Sequence, residues 1–451
     1  MDKGSINKLL FKLSAPAIVG MLINAIYNIV DSIFIGKYVG SLGLGATSIF
    51  LPIQMIILAF SILIGVGSAS VFSIAYGKKD YLKLEKITGN IFFLMIIFSF
   101  LVSIIGTLFT KEIMILFGSS QNILPYAISY SKIMFLGVLF MPICITYNNI
   151  IRAEGNSIDG MNMMIIGMLA NIVLDYIFIV KMDMGMFGAG FATSISKFIN
   201  FSYLVYYLRK KTKVKFKIKN IKFDLDITKE VLSIGASGFV QQLSMSFIIV
   251  FLNKLLFTLG SDLAISIYAI IYKLSMFFMM PIMGTTQGMA PIVGFNYGAN
   301  KINRVFEAFK KTIFITSLIG VFGLILIISK PDLLLSLFSN DKELISTGSF
   351  ALKLVLFSIP LMGFYTTSIS FFQAIGLAKM SFIISLLRQV LLFIPILFVN
   401  IYILKLGLNG IWLSFLISDI LAFLISLFIV AKEIKKINTI TEQKQYEYIN
   451  M

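Results

Sequence analysis

The chain has no histidine and one cysteine, Cys144. Those two absences remove imidazole proton relays, His-ligated metals, thiolate metal clusters and internal disulfides together. Any proton chemistry must therefore run on carboxylates. Charge is also scarce: 13% of the 451 residues are Asp, Glu, Lys or Arg, against about 25% in a soluble globular chain. With 58% apolar residues, the composition is that of a polytopic membrane protein. The first apolar run, Leu9 to about Val39, lacks a small-residue cleavage site and is too long for a signal-peptide core, so it reads as a retained first span.

At about 20 residues per crossing, the apolar runs predict twelve helices centred near residues 25, 60, 98, 138, 171, 198, 243, 278, 319, 360, 392 and 420. Lys and Arg concentrate in alternate connections: Lys3 and Lys8; Lys78, Lys79, Lys83 and Lys86; Arg152; Lys301, Arg304, Lys310 and Lys311; Lys379; and Lys432, Lys435 and Lys436. Basic residues are retained in cytoplasmic loops, which places both termini in the cytoplasm of a plasma-membrane protein. The expected organisation is a first six-helix bundle over 1–208, a basic linker over 209–229, a second six-helix bundle over 230–431 and a cytoplasmic tail over 432–451. The net charge of +17 sits in short segments between apolar runs, so anionic lipid rather than nucleic acid is the expected partner. The linker reads as a solvated segment held to the lipid surface.

The halves repeat one another at an offset of about 221 residues. Tyr76-Gly77 matches Tyr297-Gly298, Ala153 and Gly155 match Ala374 and Gly376, and Gly185 and Gly188 match Gly407 and Gly410. Six spans separate the copies, so both enter the membrane in the same sense, a parallel repeat about an axis along the membrane normal. The acids are not repeated: Asp31 aligns with the apolar stretch near Val250, and Asp175 with Ile396.

Asp31 and Asp175 lie inside spans, where a carboxylate costs roughly 2.5–3.5 kcal/mol on insertion scales and marks an ion path by default. Asn24, Tyr27, Asn28 and Asp31 recur at helical spacing on one face of span one. Asn171 and Asp175 share a face in span five, and Thr193, Lys197 and Asn200 share one in span six. Counting from the outer ends, Asp31, Asp175 and Thr193 each lie roughly 10 Å deep. Paired carboxylates suit a reversible proton site, and carboxylates with amide and hydroxyl oxygens suit sodium. Taken singly, the asparagines also fit interhelical hydrogen bonding worth about 0.6 kcal/mol.

Other intramembrane features carry less. Lys132 and Lys353 read as snorkelling side chains, and Arg388 and Asp419 as a structural pair that nothing in the sequence fixes. Pro16 shares a helix with Asp31, and a bend there could follow the carboxylate's charge state. Met164 could line an adaptable apolar pocket.

The runs Tyr27-Asn28-Ile29-Val30-Asp31, Arg152-Ala153-Glu154-Gly155-Asn156, Asn171-Ile172-Val173-Leu174-Asp175, Gly284-Thr285-Thr286-Gln287-Gly288 and Asn296-Tyr297-Gly298-Ala299 together resemble the prokaryotic branch of the MATE family, multidrug and toxic compound extrusion. The resemblance implies an all-α fold of two six-helix bundles in a V, exporting organic, often cationic, compounds in exchange for protons or sodium. It implies a cation site at Asp31, Asn171, Asp175 and Thr193, a substrate pocket touched by Asn24, Tyr27, Asn148 and Met164, to which the polar stripe adds Asn28, and a hinge at Pro16. Other branches place acids in spans seven and ten; here span seven has Gln241 and Gln242 and span ten has none.

The expected function is therefore drug antiport by alternating access, by a monomer with no cofactor and no enzymatic activity. A lipid-linked precursor flippase is the nearest rival. It would need a strongly cationic cavity, for which Lys273 and Arg388 are the visible residues. A membrane-embedded transferase would need clustered aspartates near an interface or a sizeable soluble loop, and neither is visible.

Overall fold

A crossing of about 30 Å needs about 20 helical residues, and the computed structural model, which describes residues 4–339 and 341–449, meets that need along the whole chain. Among the described residues ten helices are long and apolar enough to cross a membrane, and eleven once the pair Leu124–Gly137 and Met141–Ala153, bent by 44°, is taken as one. The twelfth is Gly185–Lys210, long enough at 26 residues but diluted by Gly, Ser, Thr, Asn and Lys. No β-strand occurs among the described residues. Lys3, one of the residues used to orient the chain, lies outside them.

The spans are α1 (Ile6–Tyr38), α2 (Ser41–Gly77), α3 (Tyr81–Leu108), the bent α4 (Leu124–Ala153), α5 (Ser157–Lys181) and α6 (Gly185–Lys210). The second half follows as α7 (Leu225–Leu256), α8 (Leu263–Gly298), α9 (Ile302–Ser329), α10 (Lys342–Ala374), α11 (Ala378–Ile403) and α12 (Gly407–Ile449). Short polar residues start several of them. Asp80 accepts from Lys83 N at 2.9 Å, Asp224 from Ile227 N at 3.1 Å, and Asp341 from Glu343 N at 2.9 Å, each covering a donor the helix leaves unpaired. The last helix runs on without a break through most of the segment expected as a tail.

The duplication is visible residue by residue. α3 and α9 begin and end 221 residues apart, and the short helices Thr110–Leu116 and Pro331–Ser336 begin 221 apart. Beyond α11 the offset becomes 222, and the reason is local. Residues Leu387–Phe393 form a π-helical turn that α5 lacks, and such a turn accommodates one inserted residue. A second π-turn then recurs in both halves, at Tyr176–Lys181 and Val399–Ile403. The counterpart of Asp175 is therefore Leu397, buried as Asp175 is, rather than Ile396.

Each half lends the start of its first helix to the other. Ile6, Leu10 and Leu13 of α1 pack in the core formed by α8 to α12, while Ile227, Val231 and Ile234 of α7, each 221 residues later, pack in the core formed by α2 to α6. Glycines allow the approach. A Cβ on Gly67 would strike the Val231 carbonyl, and one on Gly288 would strike Ser14. Nearest the basic loops α2 crosses α8, where a Cβ on Gly77 would strike the Phe295 carbonyl and one on Gly298 the Ile74 carbonyl.

The basic linker is docked rather than free. Lys217 pairs with Glu85 at 2.8 Å, Lys211 with Asp159 at 2.6 Å, Asp224 N donates to Asn90 Oδ1 at 2.9 Å, and Val214 is buried. Thr212 and Tyr207 both donate to Glu154, whose carboxyl burial nonetheless pushes above the usual range.

Candidate cation site

Asp31 on α1 and Asp175 on α5 lie close enough for each carboxyl to act on the other. Neither Asp175 oxygen has a partner, and Asp31 Oδ1 has none, although all three atoms are buried. Two bare carboxylates in contact repel, and a proton or a cation between them relieves the repulsion. Asn171, one helical turn before Asp175, donates from Nδ2 to Thr193 Oγ1 on α6 at 3.4 Å, which leaves its Oδ1 unpartnered as well. The four residues expected to form the site thus converge from three helices.

The donor set consists of oxygens, which suits either a proton or a hard monovalent cation. No cluster of three or more His, Cys, Asp or Glu residues that could hold a metal ion occurs among the described residues. The reason Asp175 sits where it does is local. It is the last residue of regular α-helix before the π-turn Tyr176–Lys181, and a π-turn rotates the side chains on either side of it relative to one another.

Two further residues belong to the surroundings. Lys197, one turn beyond Thr193 on α6, holds its ammonium 5.0 Å from the Tyr27 ring centroid and acts electrostatically on Asp31. Among the described residues it forms no ion pair within 4 Å, so its charge acts on Asp31 from a distance. Tyr130 of α4 is buried close enough to Asp31 and Asp175 to feel both. Neither was among the expected site residues; the i, i+4 spacing from Thr193 was the available signal for Lys197, and nothing local marks Tyr130.

The residues expected in a substrate pocket divide. Tyr27 borders the cation site, its ring centroid 5.0 Å from the Lys197 ammonium. Asn24 and Asn28 are exposed, with Asn28 Nδ2 donating to the Asn24 carbonyl at 2.7 Å. Asn148 is buried, its Nδ2 donating to the Gly160 carbonyl at 2.9 Å, which ties α4 to α5 far from the carboxylates. Met164 lies between Gly20 of α1 and Arg152 of α4. Pro16 interrupts no helix: α1 is continuous through it from Ile6 to Tyr38.

The second half has a different polar centre. Arg388, carried by the π-turn without a counterpart, pairs with Asp419, and Ser358 donates to the other Asp419 oxygen. Asp419 is the counterpart of Lys197 at the 222-residue offset, so the equivalent place holds opposite charges in the two halves. Lys273 is exposed, with its ammonium near the Phe338 ring. Arg152 departs from its expected place among the loop charges: it is turned inward and only 7% exposed.

A family model described as MatE matches residues 16–177 and again residues 236–399, once in each half. The chain is similar to the multidrug export protein MepA of Staphylococcus haemolyticus (strain JCSC1435), 29% identical over 432 residues that cover 95% of this chain and 94% of that protein. It is similar to MepA of Staphylococcus aureus (strain MSSA476) at the same identity and coverage. A crystal structure of MATE in the bent conformation shares the fold with a TM-score of 0.91 at 24% identity, covering 97% of this chain and 98% of that one. So does an outward-facing multidrug resistance MATE family transporter of the MOP superfamily, with a TM-score of 0.90 at 24% identity, covering 96% of this chain and 97% of that one.

Proposed function

This chain belongs to the MatE family, and from that premise we propose that it is a secondary active multidrug efflux antiporter, exporting organic, often cationic, compounds in exchange for protons or sodium. The relatives it resembles along nearly its whole length are multidrug export proteins. The basic loops put both termini in the cytoplasm of a plasma-membrane protein, in contact with anionic lipid. The protein acts as a monomer, and no cofactor takes part.

One observation carries the mechanism: Asp31 and Asp175, on separate helices, meet with their oxygens unpartnered. A proton or sodium ion entering between them from outside neutralises charge on α1, the helix that also carries Pro16 and Tyr27. Asn171 Oδ1 and Thr193 Oγ1 complete an oxygen shell. Exchange follows if coupling cation and drug stabilise different arrangements of the halves, since a ligand bound equally well in both shifts nothing. The lipid-linked precursor flippase has less behind it: Arg388 is neutralised by Asp419 and Lys273 is exposed, which leaves Arg152 as a single buried cation between the halves where a strongly cationic cavity is needed.

The test is dye efflux from proteoliposomes under proton and sodium gradients imposed separately. Efflux is expected under one gradient and to vanish in Asp175→Asn, with the variant still present in the membrane. Undiminished efflux by that variant would overturn the assignment of the carboxylate pair.

A further inference from the structure

On the pseudo-two-fold axis, just inside the crossing of α2 and α8, lies a cavity of about 90 Å³ that takes its lining from both halves. It exceeds the about 10–15 Å³ one water needs, yet falls well short of the about 300–1,000 Å³ of a drug-sized site. It therefore suits a polar head rather than a whole compound. Its walls are repeat-related: Arg152 stands opposite Gln373, Asn149 opposite Ser370, and Ser70 opposite Pro291.

The charge is not symmetric. Arg152 is 93% buried, its Nε has no partner, and its remaining polar contact is Nη2 with Met164 Sδ at 3.8 Å. No carboxylate among the described residues pairs with it. Across the cavity, Gln287 also has a buried Oε1 without a partner. The amide can be turned over to donate instead, because its oxygen and nitrogen are interchangeable by a flip. Arg152 occupies the last turn of α4, where the helix dipole favours a cation, but that effect offsets only a small part of the desolvation of a buried guanidinium.

From this geometry we infer that Arg152 and Gln287 form a binding site for an oxyanion, a carboxylate or phosphate carried by an amphiphile whose remaining bulk lies in the space between the halves. The guanidinium presents a planar fork that matches two oxygens of such a group. The inference rests on the export reading above and narrows its substrate class to compounds that bear an anionic group along with any cationic one.

The test uses rhodamine B, a zwitterion with a free carboxylate, and its ethyl ester, a cation with the same ring system. Both are titrated by fluorescence anisotropy against the full-length protein in phosphatidylcholine nanodiscs. Arg152→Gln is expected to weaken rhodamine B binding about tenfold or more and the ester less than twofold, with Arg152→Lys between. Gln287→Glu, which supplies a competing carboxylate opposite an intact Arg152, is expected to reproduce the selective loss should Arg152→Gln fold poorly. Adding phosphatidylglycerol distinguishes the sources: unchanged rhodamine B affinity assigns the oxyanion to an exported compound, and competition assigns it to a lipid headgroup. Equal loss of both dyes, or loss of neither, in variants that fold would overturn the site. Efflux of rhodamine B by the parent protein is measured in parallel, and its absence while binding still depends on Arg152 would overturn the export reading instead.

Discussion

Gly77 and Gly298 occupy the same place in the two halves and press against each other's helices, each facing the carbonyl of the residue three before the other. The contact closes the molecule next to its basic loops, and a methyl group on either side has no room. Gly77→Ala is therefore expected to part α2 from α8 there, at a cost of about 1–3 kcal/mol typical of overpacking. With Cys144 the only native cysteine, a Cys144→Ala background allows Ser73→Cys to report the parting. Its labelling by an impermeant thiol reagent should rise several-fold in Gly77→Ala. Unchanged labelling would show that the crossing is not what closes this end.

Lys197 holds a positive charge beside the carboxylate pair. Replacing it with Met removes a repulsion toward any entering cation. At an effective dielectric of about 20, a neighbouring unit charge is worth on the order of 1–4 kcal/mol, or about tenfold or more in affinity. Sodium chloride, compared with choline chloride at equal ionic strength, should therefore raise the melting temperature of Lys197→Met more than that of the parent. Equal shifts that differ from zero would remove Lys197 from the electrostatics of the site, and no sodium-dependent shift in either protein would assign the site to protons.

Arg388 and Asp419 test the second centre. Asp419→Leu leaves a largely buried guanidinium without its counter-charge, a loss of about 3–5 kcal/mol. The double variant Arg388→Met with Asp419→Leu should recover most of it. Thermal unfolding in detergent measures both, and a single variant as stable as the parent would deny the pair a structural role.

Glu154 gives a pH dependence whose sign follows from burial. Its carboxyl is held above the ordinary glutamate range in the folded chain, so folding favours the protonated form. That contribution is present below the ordinary value of about 4.3 and is lost as pH rises through the folded value. The stability of the parent relative to Glu154→Gln should fall between pH 4 and pH 7. A rising difference would mean that the hydrogen bonds from Thr212 and Tyr207 outweigh the burial.

Much of this was legible in the residues themselves. Helical spacing put Asp31, Asn171, Asp175 and Thr193 on inward faces, and their convergence followed from equal depth. The duplication was legible too, but at a single offset of about 221 it paired Asp175 with Ile396; the extra residue taken up by the π-turn at Leu387–Phe393 moves that pairing to Leu397. Arg152 was misplaced for a physical reason. A charge beside a loop usually faces water, and its inward turn depends on packing across two halves that no local pattern encodes. The linker was misjudged likewise, since Glu85, Asn90 and Glu154, which hold it, lie far away in sequence.

The exchange of first helices has a mechanical consequence. α1 is fastened at its start to the second half, through Ile6, Leu10, Leu13 and the bond from Ser14 to the Thr285 carbonyl at 3.2 Å, and near its far end to the first half through Ile35, buried in a core with Ala46, Phe50 and Ile179. Any rocking of one half against the other must be taken up within this one rod, between those two fastenings, where Pro16 deletes a backbone donor. α7 is strapped across the seam in the mirror sense, but carries Ser237 where α1 has Pro16. The machine therefore has one compliant axle and one stiff one, and the compliant axle is the one that carries Asp31.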